Sequence, residues 1–371
     1  TDSGAKVLFA DQERLERFES IKGSIDIQVI AVRPTKALPA GIADLDDLMA
    51  AEDSTELPAV QIDAQDLATI LYTSGSTGHP KGAVSCHKNI IHALMSWELE
   101  GKIAALLSGV APVQLPHQVA TLLAVPLFHA TGSHAVMLAS YRSQRKMVCL
   151  YKWDVNVAMQ VIEAEKIASF VAPAAMTGDL EQAARTTDRD LSSLLVVGGG
   201  GAPRAPEQVK NIKGTFDNAL PNTGWGMTET NAIGTGIGGE DYVAHPGSSG
   251  RCSALLDLRV LDEAGNELPR GERGEIQIKG VSIIKGYWQR PEANAETFDG
   301  PWLKTGDVGY IDPEGYLYIV DRIKDLVIRG GENIGCAEVE AGLLAHPGVL
   351  EASVYAVPDD RLGEEVGATV Y

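Results

Sequence analysis

Apolar and polar positions alternate along this chain in short blocks, and most of the apolar blocks are too brief for anything but strands. Residues 5–10 (AKVLFA) form one such block. A helical pattern over 12–22 follows, with Asp11 placed to cap its amino end, and then a strand-like run over 25–32. Strand, helix, strand is a βαβ unit and predicts a parallel sheet. Residues 34–65, rich in Pro, Ala and Asp, read as a connector with one short helical piece. An apolar run over 121–127 ends at Phe128-His129-Ala130-Thr131-Gly132 and precedes a helix over 133–141. A helix over 155–165 and buried strands over 168–171 and 194–197 continue the α/β alternation to about residue 235.

From residue 248 the period changes to two. The runs 258–262, 274–280 and 315–320 alternate between turns such as Asp312-Pro313-Glu314-Gly315. Such a pattern predicts antiparallel, barrel-like structure. Beyond 322 a polar connector leads to a small βαβ-like unit: a strand at 326–328, a helix near 337–345 and strands at 349–357 and 366–371. The expected fold class is α/β. A large domain over 1–321 carries parallel sheets, with a mostly antiparallel part over about 245–320. A boundary at 321–325 joins it to a small α+β domain beginning at 322.

Composition narrows the class. At 371 residues the chain can hold two or three domains. Its 44% hydrophobic and 22% charged residues are those of an ordinary globular protein. No apolar run approaches the roughly 20 residues that cross a bilayer. Cys86, Cys149, Cys252 and Cys336 are scattered without a CxxC pair, which predicts thiols in a reducing, cytoplasmic setting and argues against a zinc or disulfide framework. The formal net charge of −19 has no basic stripe within it, so nucleic acid is not an expected partner. An anionic ligand would need local cations, which draws attention to Lys81, Arg322 and Lys324.

The stretch ILYTSGSTGHPKGAVSCH, residues 70–87, places small hydroxyl residues, glycines, a proline and a lysine between two strand-like runs. Residues 73–82 cannot pack a core, but their backbone N–H groups can approach an anion, and Lys81 adds charge, so a phosphate cradle is indicated. It is not a Walker A loop: Lys81 follows Pro80, precedes Gly82 rather than Ser or Thr, and leads into a strand rather than a helix. Taken alone, a mobile surface loop with a solubilising lysine explains it equally well.

TSGSTGHPKG also resembles the signature loop of the acyl-adenylate-forming (AMP-binding) superfamily, which includes acyl-CoA synthetases, peptide-synthetase adenylation domains and luciferases. Three further motifs stand in the family's order. Residues 224–229 (GWGMTE) resemble its YGxTE motif, 302–307 (WLKTGD) its W-x-TGD motif, and 321–333 (DRIKDLVIRGGEN) its hinge and following glycine loop. PLFHATG and GGGGAP are similar to the fatty-acyl and aryl-acyl CoA ligase branch. The resemblance implies ATP-dependent conversion of a carboxylic acid, of medium or long fatty chain, to an acyl-AMP and then to an acyl-CoA, with ATP, Mg²⁺ and coenzyme A as cofactors and small molecules as partners; an oligomer is compatible with it. An aryl-acid ligase, a carrier-loading adenylation domain and a non-catalytic nucleotide-binding relative remain alternatives.

It also implies roles. Thr73, Ser74, Gly75, Ser76, Thr77, Gly78 and Lys81 would hold the β- and γ-phosphates. Thr228 would touch the α-phosphate, and Glu229 would hold the metal. Gly200, Gly201, Ala202, Pro203, Asn222, Gly224, Trp225, Gly226 and Met227 would surround the adenine, with Trp225 standing where the family has Tyr and able to stack on the base. Asp307 would accept from the two ribose hydroxyls, with Arg322 beside it. Lys324 would be the hinge, Gly330 and Gly331 would line the coenzyme A path, and His129 would gate the acyl site unless it is a core histidine. Small residues Ala172, Ala174 and Ala175 hint at a roomy acyl pocket. Against the family pattern the chain looks truncated at both ends, lacking the carboxyl-terminal catalytic lysine, so weak or absent adenylation is expected of it alone.

Overall fold

The computed structural model describes residues 2–52, 56–73, 80–109, 115–200, 204–322, 326–329, 332–344, 346, 348–359, 361 and 363–371. They form two compact units, 1–63 and 64–371.

The first unit is the expected βαβ arrangement. Strands Val7–Ala10 and Gln28–Ala31 pair in parallel. Between them helix Gln12–Glu19 is capped by Asp11, whose carboxylate accepts from the backbone N–H of Arg14 at 3.1 Å. Leu15 and Phe18 of the helix bury against Ala10, Val29 and Ala31 of the strands. The helix stops at Glu19, short of the predicted end, and a 3-10 turn Lys22–Ser24 follows. The supposed connector adds a third parallel strand, Ile42–Asp44, and a helix, Leu45–Ala51. Three residues are too few to display a period, which is why that strand is invisible in the sequence.

The second unit is built on one twelve-stranded sheet. Its parallel part runs Lys146–Cys149, Ala120–Leu123, Ile167–Val171, Val196–Gly198, Leu220–Thr223. The direction then reverses: Thr235–Gly238 pairs antiparallel with Leu220–Thr223. The antiparallel strands Gly250–Cys252, Tyr316–Arg322, Trp302–Ile311, Gly274–Gly280 and Leu256–Leu261 continue the same ladder. Leu122, Ile167, Phe170 and Val197 on the parallel strands bury against Ile162, Leu180 and Ile212 of helices Val155–Glu165, Ala174–Ala184 and Pro206–Thr215. Every one of these seven is fully enclosed, so the parallel strands are held rigidly from their helical side.

Two smaller sheets complete the unit. Leu67–Thr73 and Lys81–Cys86 form an antiparallel hairpin, and Gly286–Tyr287 joins its second strand. The carboxyl-terminal sheet has the order Glu332–Gly335, Leu326–Arg329, Gly363–Val370, Ala352–Asp359, with helix Cys336–Leu344. Its pairings are all antiparallel, which corrects the βαβ-like expectation; the helix joins strands that are not hydrogen-bonded neighbours. The helix predicted over 133–141 is a π-helix over Thr131–Leu138 that becomes α only at Ala139–Arg142. Such π segments accompany functional sites. The four cysteines form no disulfide. Among the described residues no helix is long and apolar enough to cross a membrane.

Candidate active site

In an open α/β sheet, ligands settle beyond the carboxyl ends of the parallel strands, where the strand order reverses. In this sheet Leu123, Val171, Gly198 and Thr223 end the parallel strands, and each is followed by a sequence that drew attention: 126–132, 172–175, 199–204 and 224–229. Asn222 and Gly198 are paired, and a methyl group on Gly198 would stand 2.1 Å from the Asn222 amide oxygen. The Gly199 N–H donates to the Asn222 carbonyl at 2.9 Å. A β-carbon on Gly200 would lie 4.0 Å from the Gly224 carbonyl oxygen.

Residues 224–230 are the centre of the site. A β-carbon on Gly224 would stand 2.6 Å from the Thr235 carbonyl, and one on Gly226 2.5 Å from the Ala232 carbonyl. Only glycine permits the turn to lie this close to its returning strand. At one end of the turn the Trp225 indole N–H donates to Asp307 Oδ2 at 2.7 Å. Asp307 is buried, and the motif explains how it points inward. Thr305 Oγ1 donates to the Ile276 carbonyl and accepts from the Asp307 N–H, and Gly306, at φ +72°, turns the chain between them. Arg322, opposite Asp307 across the sheet, reaches Oδ1 with its Nε at 3.3 Å. Burial pushes the Asp307 carboxyl above its ordinary range, and the bonds from Trp225 and Arg322 pull it back. Each carboxylate oxygen can accept about two hydrogen bonds. With one such donor on each oxygen among the described residues, both retain capacity for a ligand hydroxyl.

At the other end of the turn lies Glu229, also buried. The Tyr287 hydroxyl donates to Glu229 Oε1 at 2.7 Å, and the Ile284 N–H donates to the Glu229 carbonyl. Lys81 Nζ stands 5.3 Å from the centroid of the Tyr287 ring. A buried carboxylate served by a neutral hydroxyl is poorly compensated and suits a cation. Among the described residues no three His, Cys, Asp or Glu side chains converge on a metal position. That donor set fits Mg²⁺, which takes hard oxygen and characteristically rests on one or two carboxylates plus substrate phosphates.

Behind Glu229 a polar network is enclosed. Asn231, at φ +57°, accepts from Ser85 Oγ and His134 Nε2 at 3.0 Å each and donates to the Ser282 carbonyl at 2.7 Å. Ser133 Oγ lies 2.8 Å from His134 Nδ1. Burial holds the His134 imidazole below its usual range, against the opposing effect of the Asn231 bond, so it is neutral at pH 7. The network ties the strand after the glycine-rich loop, the π-helix and the 228–231 turn together.

The structure thus brings Lys81, Glu229, Trp225, Asp307 and Arg322 into one chain of contacts, with Gly224, Gly226, Met227 and Thr228 in the same turn. Thr73 and Lys81 close the hairpin as a register pair. His129 is exposed beside Phe128 rather than packed in the core. Ala172 is fully buried in the core cluster that the helices share with the parallel strands. Trp225 uses its ring nitrogen on Asp307. Ser74, Gly75, Ser76, Thr77, Gly78, Gly201, Ala202, Pro203, Lys324, Gly330 and Gly331 lie outside the described residues.

Four contributors were not legible beforehand: Tyr287, Asn231, His134 and Arg204. Tyr287 sits in a GYW triplet that carries no chemistry of its own. Arg204, directly after the GGGAP run, is 8% exposed, and its three guanidinium nitrogens meet no hydrogen-bond acceptor among the described residues. Burial lowers its pKa.

Comparison with known proteins agrees with this arrangement. A family model described as AMP-binding enzyme matches residues 1–288. Along its whole length the chain is 34% identical to a feruloyl-CoA synthase of an Amycolatopsis species and covers 69% of it. Over 313 residues it is 34% identical to a long-chain-fatty-acid–CoA ligase of Mycobacterium tuberculosis, covering 84% of the chain and 59% of that ligase. The crystal structure of ATP-bound MatB from Rhodopseudomonas palustris superposes with a TM-score of 0.83 at 30% identity, covering all of this chain and 69% of MatB.

Proposed function

The chain belongs to the AMP-binding enzyme family, and from that premise we propose that the protein activates a carboxylic acid with ATP and passes the acyl group to coenzyme A. In the first half-reaction the carboxylate oxygen attacks the α-phosphorus and pyrophosphate leaves. In the second the thiol sulfur attacks the acyl carbon, the C–O bond to phosphate breaks, and AMP leaves. A free carboxylate resists the thiol because its leaving group would be oxide; AMP removes that obstacle.

The observation that carries the reading is the turn 224–230, which holds the buried Asp307 through Trp225 and the Lys81–Tyr287 pair through Glu229. It holds a diol acceptor from another strand, Asp307, at one end and carries its own cation-seeking carboxylate, Glu229, at the other, as a nucleoside triphosphate with its metal requires. In this reading Asp307 accepts from the ribose hydroxyls and Arg322 holds its outer oxygen. The Thr228 hydroxyl donates to the α-phosphate, and Lys81 neutralises charge on the departing pyrophosphate. Mg²⁺, when bound, withdraws charge from the phosphate oxygens, and Glu229 would hold it.

For the acid we propose a medium or long fatty chain, in line with the fatty-acid ligase relative. An aryl acid is the second reading, favoured by the feruloyl-CoA synthase that matches along the whole chain. ATP–pyrophosphate exchange by the full gene product with a panel of fatty, aryl and amino acids tests all of this. Exchange with octanoate or palmitate supports the first reading, and exchange with ferulate or 4-coumarate the second. Exchange with amino acids alone would point to carrier loading, and ATP binding without exchange would refute the ligase assignment.

A further inference from the structure

Tyr287 is held more firmly than packing requires. Its strand is hydrogen-bonded to the one that begins at Lys81, with Tyr287 opposite Ala83. The Trp288 N–H donates to the Gly82 carbonyl at 2.8 Å and the Lys285 N–H to the Val84 carbonyl at 2.7 Å. Asn294 brackets its backbone, its amide oxygen accepting from the Tyr287 N–H at 2.6 Å and its amide nitrogen donating to the Tyr287 carbonyl at 3.1 Å. Gly286, at φ +139°, makes room for that amide. The ring thus stands at a fixed point between the cation of Lys81 and the carboxylate of Glu229. A phenol hydroxyl is an ordinary donor at neutral pH, and this one is spent on Glu229 Oε1 at 2.7 Å.

We propose that Tyr287 is the positioning residue of the metal-bearing carboxylate: its hydroxyl fixes the rotamer of Glu229, so that the cation is set in register with the strand that carries Lys81. The inference rests on the reading of Glu229 as the metal ligand. Two chain segments distant in sequence, the hairpin after the glycine-rich loop and the 224–230 turn, are then coupled through one phenol. Partners that orient a ligating group commonly change metal affinity 10- to 100-fold when removed.

The probe is Mn²⁺ binding to the full-length protein at saturating ATP, followed by the electron paramagnetic resonance of free Mn²⁺. Tyr287→Phe keeps the ring and is expected to weaken Mn²⁺ binding about tenfold, while metal-free ATP binding in EDTA stays within about twofold. In a Glu229→Gln background Tyr287→Phe should have no further effect. Asn294→Ala, which loosens the tyrosine without touching its hydroxyl, should weaken Mn²⁺ binding by a smaller factor and serves if the phenylalanine variant folds poorly. Unchanged Mn²⁺ affinity in Tyr287→Phe, or an equal loss in the Glu229→Gln background, overturns the proposal and leaves the ligase reading intact. Wild-type protein that binds ATP but no Mn²⁺ overturns both.

Discussion

Replacing Trp225 by phenylalanine removes one N–H from a buried carboxylate, together with part of a ring packed against the core around Ile233 and Ile278, and only the first of these losses depends on pH. Asp307 loses the 2.7 Å bond at Oδ2 and keeps, among the described residues, Arg322 at 3.3 Å, whose side chain is 59% exposed against 9% for that of Asp307. A hydrogen bond to a charged group contributes about 1.5–3 kcal/mol, and a solvent-exposed guanidinium replaces little of that, so a loss of about 2 kcal/mol is expected at neutral pH. Unfolding entropy of about 2.1 cal/mol/K per residue over the roughly 300 residues of the larger unit gives about 0.6 kcal/mol/K, and hence a melting point lowered by about 3 °C.

The loss depends on pH in a definite direction. Burial already holds the folded pKa of Asp307 above the ordinary carboxylate value, and the Trp225 bond is the first of the effects, ahead of the charge and the bond of Arg322, that hold it down. Without that bond the folded pKa rises further. A carboxyl whose folded pKa exceeds its unfolded one binds more protons when folded, so stability falls as pH climbs through the interval and stays lower above it. The deficit of Trp225→Phe should therefore be about 1 kcal/mol near pH 4, where a neutral bond is lost, and about 2 kcal/mol at pH 7.5. Calorimetry at both pH values, with the Asp307→Asn single and double variants, measures it. A deficit equal at both pH values, or a pH dependence that survives in the Asp307→Asn background, would refute the argument that Trp225 acts through the carboxylate.

Three further outcomes are expected. Lys81→Met should weaken ATP binding about 10- to 100-fold by titration calorimetry, the worth of one charge-assisted phosphate contact, with little change in melting point. His134, held below its usual pKa of 6.5 by burial, stabilises the fold fully above that pH and less as pH falls beneath it. His134→Gln should accordingly lose less stability than wild type between pH 7.5 and 5.5 in urea titrations, though it starts lower by about 1–3 kcal/mol. Arg204→Leu should raise stability by about 1–4 kcal/mol, because it replaces a buried cation that has no acceptor among the described residues with an apolar side chain; a drop instead would show that the guanidinium has an acceptor in solution.

Much of the site was legible because its chemistry is local. Asp11 as a cap, the strands flanking the 73–82 loop, and the TGD turn all follow from residues within a few positions of each other. The GWGMTE and WLKTGD stretches announce themselves for the same reason: glycines that admit a close backbone, beside the carboxylates they place. The helix over 133–141 is legible as a helix but not as a π-helix, because its apolar positions satisfy either spacing over so short a run.

The sequence by itself determined most of the elements, the strands that flank the 73–82 loop and the residue types able to meet a phosphate, a diol and a hard cation, since each depends on torsional preference and near neighbours. Only the tertiary structure decided which partner each charged group answers to. Trp225 reads as an aromatic platform until Asp307, 82 residues away, takes its N–H, and Tyr287 reads as filler until Glu229, 58 residues away, takes its hydroxyl. Electrostatic effects on a buried carboxylate depend on distance and dielectric in three dimensions, and neither quantity has any expression along the chain.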